Sequence, residues 1–230
     1  MEKRYERNIG MLTVEEMEKL RKSRVCVVGC GGLGGYIIEM LARLGVGHLT
    51  VLDGDVFDET NLNRQLYSEE STIGRSKALQ AKERVSRINS GVTVEAHILT
   101  LSEDNAPDIL KGHDLVIDAV DSIAARCMLQ DVCQEAGIPF IHGAIAGWYG
   151  QVTTIYPGDR TLDLLYAQGT RKEKGIEKLL GNPSFTPALV ASIEVSEALK
   201  VLIGRGETLR KRVLYIDTLV QEYNVVELES

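Results

Sequence analysis

Along the chain, short apolar runs alternate with stretches in which apolar residues recur at helical spacing, the pattern of parallel strands joined by crossover helices. Residues 24–29 (RVCVVG), 48–53 (HLTVLD), 92–98, 114–119 (DLVIDA) and 139–144 read as strands, and 33–44, 73–89 and 122–136 as helices. Parallel strands are covered on both faces, so these runs show little alternation. Beyond residue 145 the pattern changes: residues 151–156 (QVTTIY) alternate as half-buried antiparallel strands do, and 213–217 with 220–228 read as a terminal pair. The expected fold class is α/β, a Rossmann-like mixed sheet that is mostly parallel in its N-terminal part and antiparallel toward the C-terminus, with helices on both faces.

The length of 230 residues fits one domain. Residues 1–23 read as an N-terminal arm and helix, 24–145 as the parallel half and 146–230 as the mixed half. Residues 158–183 are rich in Gly, Lys, Arg and Glu with weak periodicity, a long loop of the kind that serves as a lid or partner-binding segment. Residues 186–203 read as a core helix stopped by Gly204.

Composition narrows the function classes. An apolar share of 44% with 26% charged residues describes a folded globular protein. A net charge of −7 with only 5% aromatic residues argues against a nucleic-acid partner. No apolar run reaches the ~18 residues of a membrane span, and the polar N-terminus is unlike a signal peptide, so a cytoplasmic protein is expected. Cys26, Cys30, Cys127 and Cys133 contain no pair with zinc-knuckle spacing and read as buried thiols.

The strongest local signal is Gly29-Cys30-Gly31-Gly32-Leu33-Gly34, a glycine-rich turn directly after a strand and directly before a helix. Glycines there permit close backbone approach, and the helix N-terminus offers unpaired N–H groups to phosphate. Asp53 ends the next strand nineteen residues beyond Gly34, where a carboxylate can accept from ribose hydroxyls. Two classes use such a crevice: nicotinamide or flavin oxidoreductases, and enzymes of ATP. A triphosphate needs fixed cations and Mg²⁺ where a dinucleotide pyrophosphate is held largely by backbone, and this chain supplies cations.

In order along the chain stand Arg4-Tyr5-x-Arg7, the glycine turn, Asp53-x-Asp55, Asn61-Leu-x-Arg64-Gln65, Gly74-x-x-Lys77, Asp118-x-x-Asp121-Ser122 and Gly147-x-x-Gly-Gln151. This series resembles the ThiF/MoeB/HesA branch of the ubiquitin-activating-like enzymes, from residue 4 to about 228. The resemblance implies ATP-dependent adenylation of the C-terminal glycine of a small ubiquitin-like sulfur carrier, of the ThiS or MoaD kind and ending in Gly-Gly, with release of pyrophosphate. It implies that Gly29, Gly31, Gly32 and Gly34 form the phosphate turn, that Asp53, Asp55, Asn61, Gln65 and Ser122 bind nucleotide, that Arg64 and Lys77 face the triphosphate, and that Asp121 holds Mg²⁺. It further implies a homodimer in which Arg7 reaches the partner's site, and a second half that binds the carrier.

Many relatives hold zinc with two Cys-x-x-Cys pairs, and some carry a cysteine that links covalently to the carrier. No cysteine follows Cys133, so the resemblance implies chemistry that stops at the acyl-adenylate, no zinc, and a separate sulfur donor. His113 and His142 read as structural, because a carboxylate nucleophile needs no base. Trp148 and Tyr149 can line a carrier-tail channel or simply pack. The alternatives are an enzyme resembling the tRNA threonylcarbamoyladenosine dehydratases, an NAD or FAD oxidoreductase, and a catalytically idle scaffold.

Overall fold

The computed structural model describes residues 2–166 and 177–228. Helix α1 (Val14–Lys22) precedes strand β1 (Arg24–Val28), and helix α2 (Gly32–Leu44) leads to β2 (His48–Leu52). There follow α3 (Lys77–Ile88), β3 (Thr93–His97), α4 (Ala106–Leu110), β4 (Leu115–Asp118), α5 (Ile123–Ala136), β5 (Phe140–Ala146) and β6 (Tyr149–Ile155). Short helices α6 (Thr161–Leu165) and α7 (Glu177–Leu180) then precede α8 (Phe185–Ile203) and strands β7 (Arg212–Asp217) and β8 (Glu222–Glu227).

The strands form one sheet in the order β3-β2-β1-β4-β5-β6-β7-β8. β1 to β5 run parallel and β6 to β8 are antiparallel to their neighbours, as the change of pattern in the sequence implies. The order reverses between β1 and β4, and such a switch point opens a crevice at the carboxyl ends of the strands.

Two apolar layers cover the sheet. Val25 and Val27 of β1 pack with Ile37 and Leu41 of α2, Val85 of α3 and Val195 of α8. Cys26 and Val28 point the other way, into Leu110 of α4 and Leu129 and Cys133 of α5. A strand alternates its side chains between faces, so a run apolar at every position feeds both layers.

Several element bounds differ from the sequence reading, and the differences nearest the cavity have local causes. The helix expected over 73–89 begins only at Lys77, because Gly74 has φ +80° and Ser76 is the N-cap, its hydroxyl accepting from Leu79 N–H. The helix expected from residue 122 begins at Ile123, with the Ser122 hydroxyl accepting from Ala125 N–H. The span 158–183 carries α6 and α7; α6 is tied to α5 where Gln130 Oε1 accepts from Leu162 N–H at 2.7 Å. Residues 167–176 of the expected lid lie outside the described residues.

Candidate active site

Strand β1 ends at Val28, and Gly29 turns the chain with φ +102°. A side chain at residue 29 would strike the Ala119 carbonyl at 2.4 Å, so only glycine fits between the ends of β1 and β4. Asp53, at the end of β2, braces this turn: its Oδ2 accepts from Cys30 N–H and its Oδ1 from Asp55 N–H, both at 2.8 Å. A carboxylate has about four acceptor sites, so Asp53 can still receive ribose hydroxyls.

A cavity of about 610 Å³ opens at this switch point. Its wall contains Gly29, Gly31 and Gly32 from the turn, Asp53 and Asp55 after β2, Asn61, Arg64, Gln65 and Lys77, and Asp121 and Ser122 after β4. Two expected residues lie elsewhere. Gly34 is in the first turn of α2, where a Cβ would sit 1.8 Å from the Gly29 carbonyl oxygen, so it serves close packing of helix on turn and does not line the cavity. Arg7 is exposed on a 3₁₀ turn (Lys3–Asn8) and does not line its own chain's cavity. The rest of that arm is docked, with Arg4 Nη1 donating to Asn89 Oδ1 at 2.6 Å and Asn89 Nδ2 donating to the Tyr5 hydroxyl at 2.7 Å.

The cations are fixed in place. Lys77 Nζ lies 3.1 Å from Asp55 Oδ2. Arg64 Nη1 donates to the Thr60 carbonyl at 3.0 Å and to Asn63 Oδ1 at 2.9 Å. Asn61 is buried, its Oδ1 accepting from Asp58 N–H at 3.1 Å. Gln65 Oε1 and Asn182 Oδ1 are buried at the wall without a hydrogen-bond partner among the described residues, which fits a ligand that brings its own donors, as the hydroxyls and amino group of a nucleoside do. Leu52, Leu99, Leu101, Met128 and Leu129 supply an apolar side for a base. Asp121 fits Mg²⁺, which takes one or two carboxylates and completes its shell with water and phosphate oxygens. Among the described residues there is no group of three or more His, Cys, Asp or Glu that could hold a metal ion.

A second cavity of about 390 Å³ adjoins the first, and Arg126 and Ile145 line both. Arg126, on the second turn of α5, escaped the sequence reading. Its Nη2 donates to the Val120 carbonyl at 3.0 Å, and its Nε lies 3.5 Å from Asp118 Oδ2. Asp118 is fully buried at the end of β4 and lies 2.6 Å from His142 Nδ1. His142 Nε2 is 3.0 Å from the Tyr166 hydroxyl, which accepts from Gln151 Nε2 at 2.8 Å. Burial lowers the His142 pKa against the pull of Asp118, so the imidazole is neutral. One chain of donation satisfies all four groups: Gln151 to Tyr166, Tyr166 to His142 Nε2, and His142 Nδ1–H to Asp118. His142 is therefore structural, as expected, and it is held against the residue that positions Arg126. His113 is structural too, placed between Thr50 Oγ1 at 2.8 Å and the Leu110 carbonyl at 3.0 Å. Tyr149 lines the second cavity, whereas Trp148 packs on Phe185 with ring centroids 5.0 Å apart. All four cysteines are free and buried, and burial pushes the Cys133 thiol up to about 12.

A glycine turn at the switch point, with cations lining the same cavity and a second cavity leading in beside it, is a site for a nucleotide and a second substrate, and relatives named as adenylyltransferases put the chain in the ubiquitin-activating-like class of adenylyltransferases. The chain belongs to the ThiF family, whose model matches residues 5–230. It is 37% identical over 229 residues to the SAMP-activating enzyme E1 of Haloferax volcanii, covering 97% of this chain and 84% of that one. It is 35% identical over 231 residues to the sulfur carrier protein adenylyltransferase of Thermus thermophilus, covering 94% and 83%. Other relatives are longer, and the chain spans 60% or 48% of their length. The fold is that of E. coli MccB, with a TM-score of 0.85 at 20% identity over 98% of this chain and 69% of that one.

Proposed function

We propose that this protein adenylates the C-terminal glycine carboxylate of a small ubiquitin-like sulfur carrier ending in Gly-Gly. The carboxylate oxygen attacks the α-phosphorus of ATP, the bond from that phosphorus to the bridging oxygen breaks, and pyrophosphate leaves. The observation that carries this reading is the junction at Arg126, where the cavity that fits a nucleotide meets the cavity that fits a peptide tail. The names of the Haloferax and Thermus relatives support a carrier protein as substrate.

Two anions must meet, so the work of the site is alignment and neutralisation of charge. Arg126 orients the incoming carboxylate, while Lys77, Arg64 and Asn61 hold the polyphosphate. Asp121 would hold Mg²⁺, which when bound offsets phosphate charge. Arg7, exposed and outside its own cavity, acts in the partner's site of a homodimer. All four cysteines are buried, and desolvation pushes up the thiols of Cys26, Cys30 and Cys133 where covalent chemistry would need a thiolate, so the reaction ends at the acyl-adenylate and a separate protein delivers sulfur. We place the protein in the cytoplasm; among the described residues no helix is long and apolar enough to cross a membrane. Asp217 and Glu222 at the second cavity count against a tRNA substrate.

Titration calorimetry tests the nucleotide half of this reading. The expected result is Mg-ATP binding with no measurable affinity for NAD; NAD binding without ATP binding would overturn it.

A further inference from the structure

Asp118 and His142 are both fully buried, with 2.6 Å between Asp118 Oδ2 and His142 Nδ1. The same Oδ2 lies 3.5 Å from Arg126 Nε, so the imidazole and the guanidinium meet on one carboxylate oxygen. The charge on His142 therefore bears on Arg126. A neutral imidazole leaves the carboxylate's charge to the arginine, whereas an imidazolium would compete for it and repel the guanidinium. Two donors act on that charge. The Tyr166 hydroxyl lies 3.0 Å from His142 Nε2 and Gln151 Nε2 lies 3.2 Å from it, and each can donate to a lone pair that exists only on the neutral ring.

The elements packed around His142 agree with a neutral ring. Among the described residues the charged groups that act on it are Asp118 of β4 and Arg126 of α5. Glu194 of α8 and Cys133 of α5 feel the Asp118 charge and are held neutral by burial. β6 and the end of α6 bring the uncharged Gln151 and Tyr166. Tyr166 is placed by α6, of which it is the C-terminal cap. Arg160 at the start of that helix pairs with Asp131 of α5, and Gln130, one turn beyond Arg126, accepts from Leu162 N–H at 2.7 Å. The hydroxyl thus reaches His142 from a helix clamped to the one that carries Arg126.

Building on the proposed adenylation of a carrier tail, we infer that Tyr166 and Gln151 are positioning residues: by donating to His142 Nε2 they hold the imidazole neutral and so leave Asp118 free to orient Arg126 toward the incoming carboxylate. The guanidinium then stays in place through the range around pH 6.5 in which an ordinary histidine charges. Both donors also line the second cavity, so direct contact with the tail is the competing explanation. The two explanations differ in whether the effect passes through His142.

Tyr166→Phe keeps the ring and removes the hydroxyl, and Gln151→Met removes the second donor. The readout is kcat of ATP–pyrophosphate exchange driven by a small ubiquitin-like carrier ending in Gly-Gly, relative to the native protein at the same pH. Either donor can serve alone, so each single variant should lose about two- to threefold and the double variant about tenfold at about pH 6. By about pH 8, where the imidazole sheds its proton, the loss should shrink to about threefold or less, with the Kd of Mg-ATP within about twofold of native throughout. His142→Asn supplies an Nδ2 donor in place of Nδ1–H and a side chain that does not charge. In that background, whatever its own rate, removing both donors should cost no more than about twofold at any pH. Nitrogen NMR of labelled histidine gives a readout apart from activity, with His142 identified as the signal missing from His142→Asn. The native ring should stay neutral with its proton on Nδ1 down to about pH 5.5, and in Tyr166→Phe/Gln151→Met it should take up a proton between about pH 8 and 5.5. A loss of the same size at every pH or in the His142→Asn background, or a native His142 charged at about pH 7, would overturn the positioning role alone. A native protein that binds Mg-ATP and shows no exchange with the carrier would overturn the adenylation reading, and the positioning role with it.

Discussion

Lys77 Nζ and Asp55 Oδ2 stand 3.1 Å apart at the mouth of the nucleotide cavity, the lysine side chain 9% exposed and the aspartate 77%. The ammonium is buried where a triphosphate would lie, and its present partner is open to water. A polyphosphate can replace Asp55 without reorganising the lysine, the arrangement that makes electrostatic stabilisation effective. Lys77→Ala and Asp121→Ala should each lower adenylation by about ten- to a thousandfold, the loss of one transition-state charge contact of roughly 1.4 to 4 kcal/mol. Pyrophosphate exchange measures the rate, and melts without ATP should stay near wild type. Unchanged rates in both variants would remove these residues from the site.

Arg126 should act on the carboxyl substrate more than on ATP. Arg126→Ala is expected to raise KM for a Gly-Gly peptide and lower kcat together, with a smaller effect on the ATP Kd. Arg126→Lys should rescue little, because a single ammonium cannot reproduce the guanidinium fork held between Val120 and Asp118. An ATP Kd that rises as much as the peptide KM would assign Arg126 to the nucleotide alone.

Much of this site was legible in the sequence because its residues follow strand ends. Asp53, Asp121 and the glycine turn occupy positions dictated by the parallel fold, and the structure gathers them around one cavity. Arg126 was not legible: its significance comes from Asp118, His142 and Tyr166, brought together by three separate elements. Ser122 looked like a ligand and is also a helix cap, two uses of one hydroxyl that a sequence cannot separate. The early start expected for α3 failed at Gly74, whose left-handed backbone overrides the apolar spacing around it.

Glu194 of α8 is fully buried, and neither carboxylate oxygen has a hydrogen-bond partner among the described residues. Desolvation raises its pKa well above the ordinary value, the nearby Asp118 charge adding to the rise and Arg126 partly opposing it. The neutral acid is thus the folded form. Its contribution is fully present below the unfolded pKa and is lost as pH rises toward the folded one, at about 1.4 kcal/mol per pH unit. Glu194→Gln should therefore gain stability relative to wild type as pH rises from 5 to 8 in urea melts. A stability difference independent of pH would contradict a neutral Glu194.

The four cysteines should be slow to react. Burial raises the thiols of Cys26, Cys30 and Cys133, so alkylation of the native protein by iodoacetamide should be far slower than in urea. Cys133→Ala should retain exchange activity at temperatures where it remains folded. A folded Cys133 variant without activity would restore a covalent role.

Arg7 gives the proposed homodimer a functional test. Arg7→Ala and Lys77→Ala, each strongly impaired alone, should recover up to about a quarter of wild-type activity when mixed equally with free subunit exchange, since half the dimers would be mixed and one of their two sites would carry neither lesion. Exchange confirmed by an independent label, with no recovery, would place Arg7 outside the partner's site.

Carboxylate activation itself is tested most directly by ATP–pyrophosphate exchange driven by a small ubiquitin-like sulfur carrier ending in Gly-Gly, compared with the same carrier bearing a C-terminal amide. The free carboxylate should drive exchange in the presence of Mg²⁺ and the amide should not, because only the carboxylate supplies the attacking oxygen. Equal exchange with both carriers, or with neither while Mg-ATP binds, would contradict adenylation of a carrier tail.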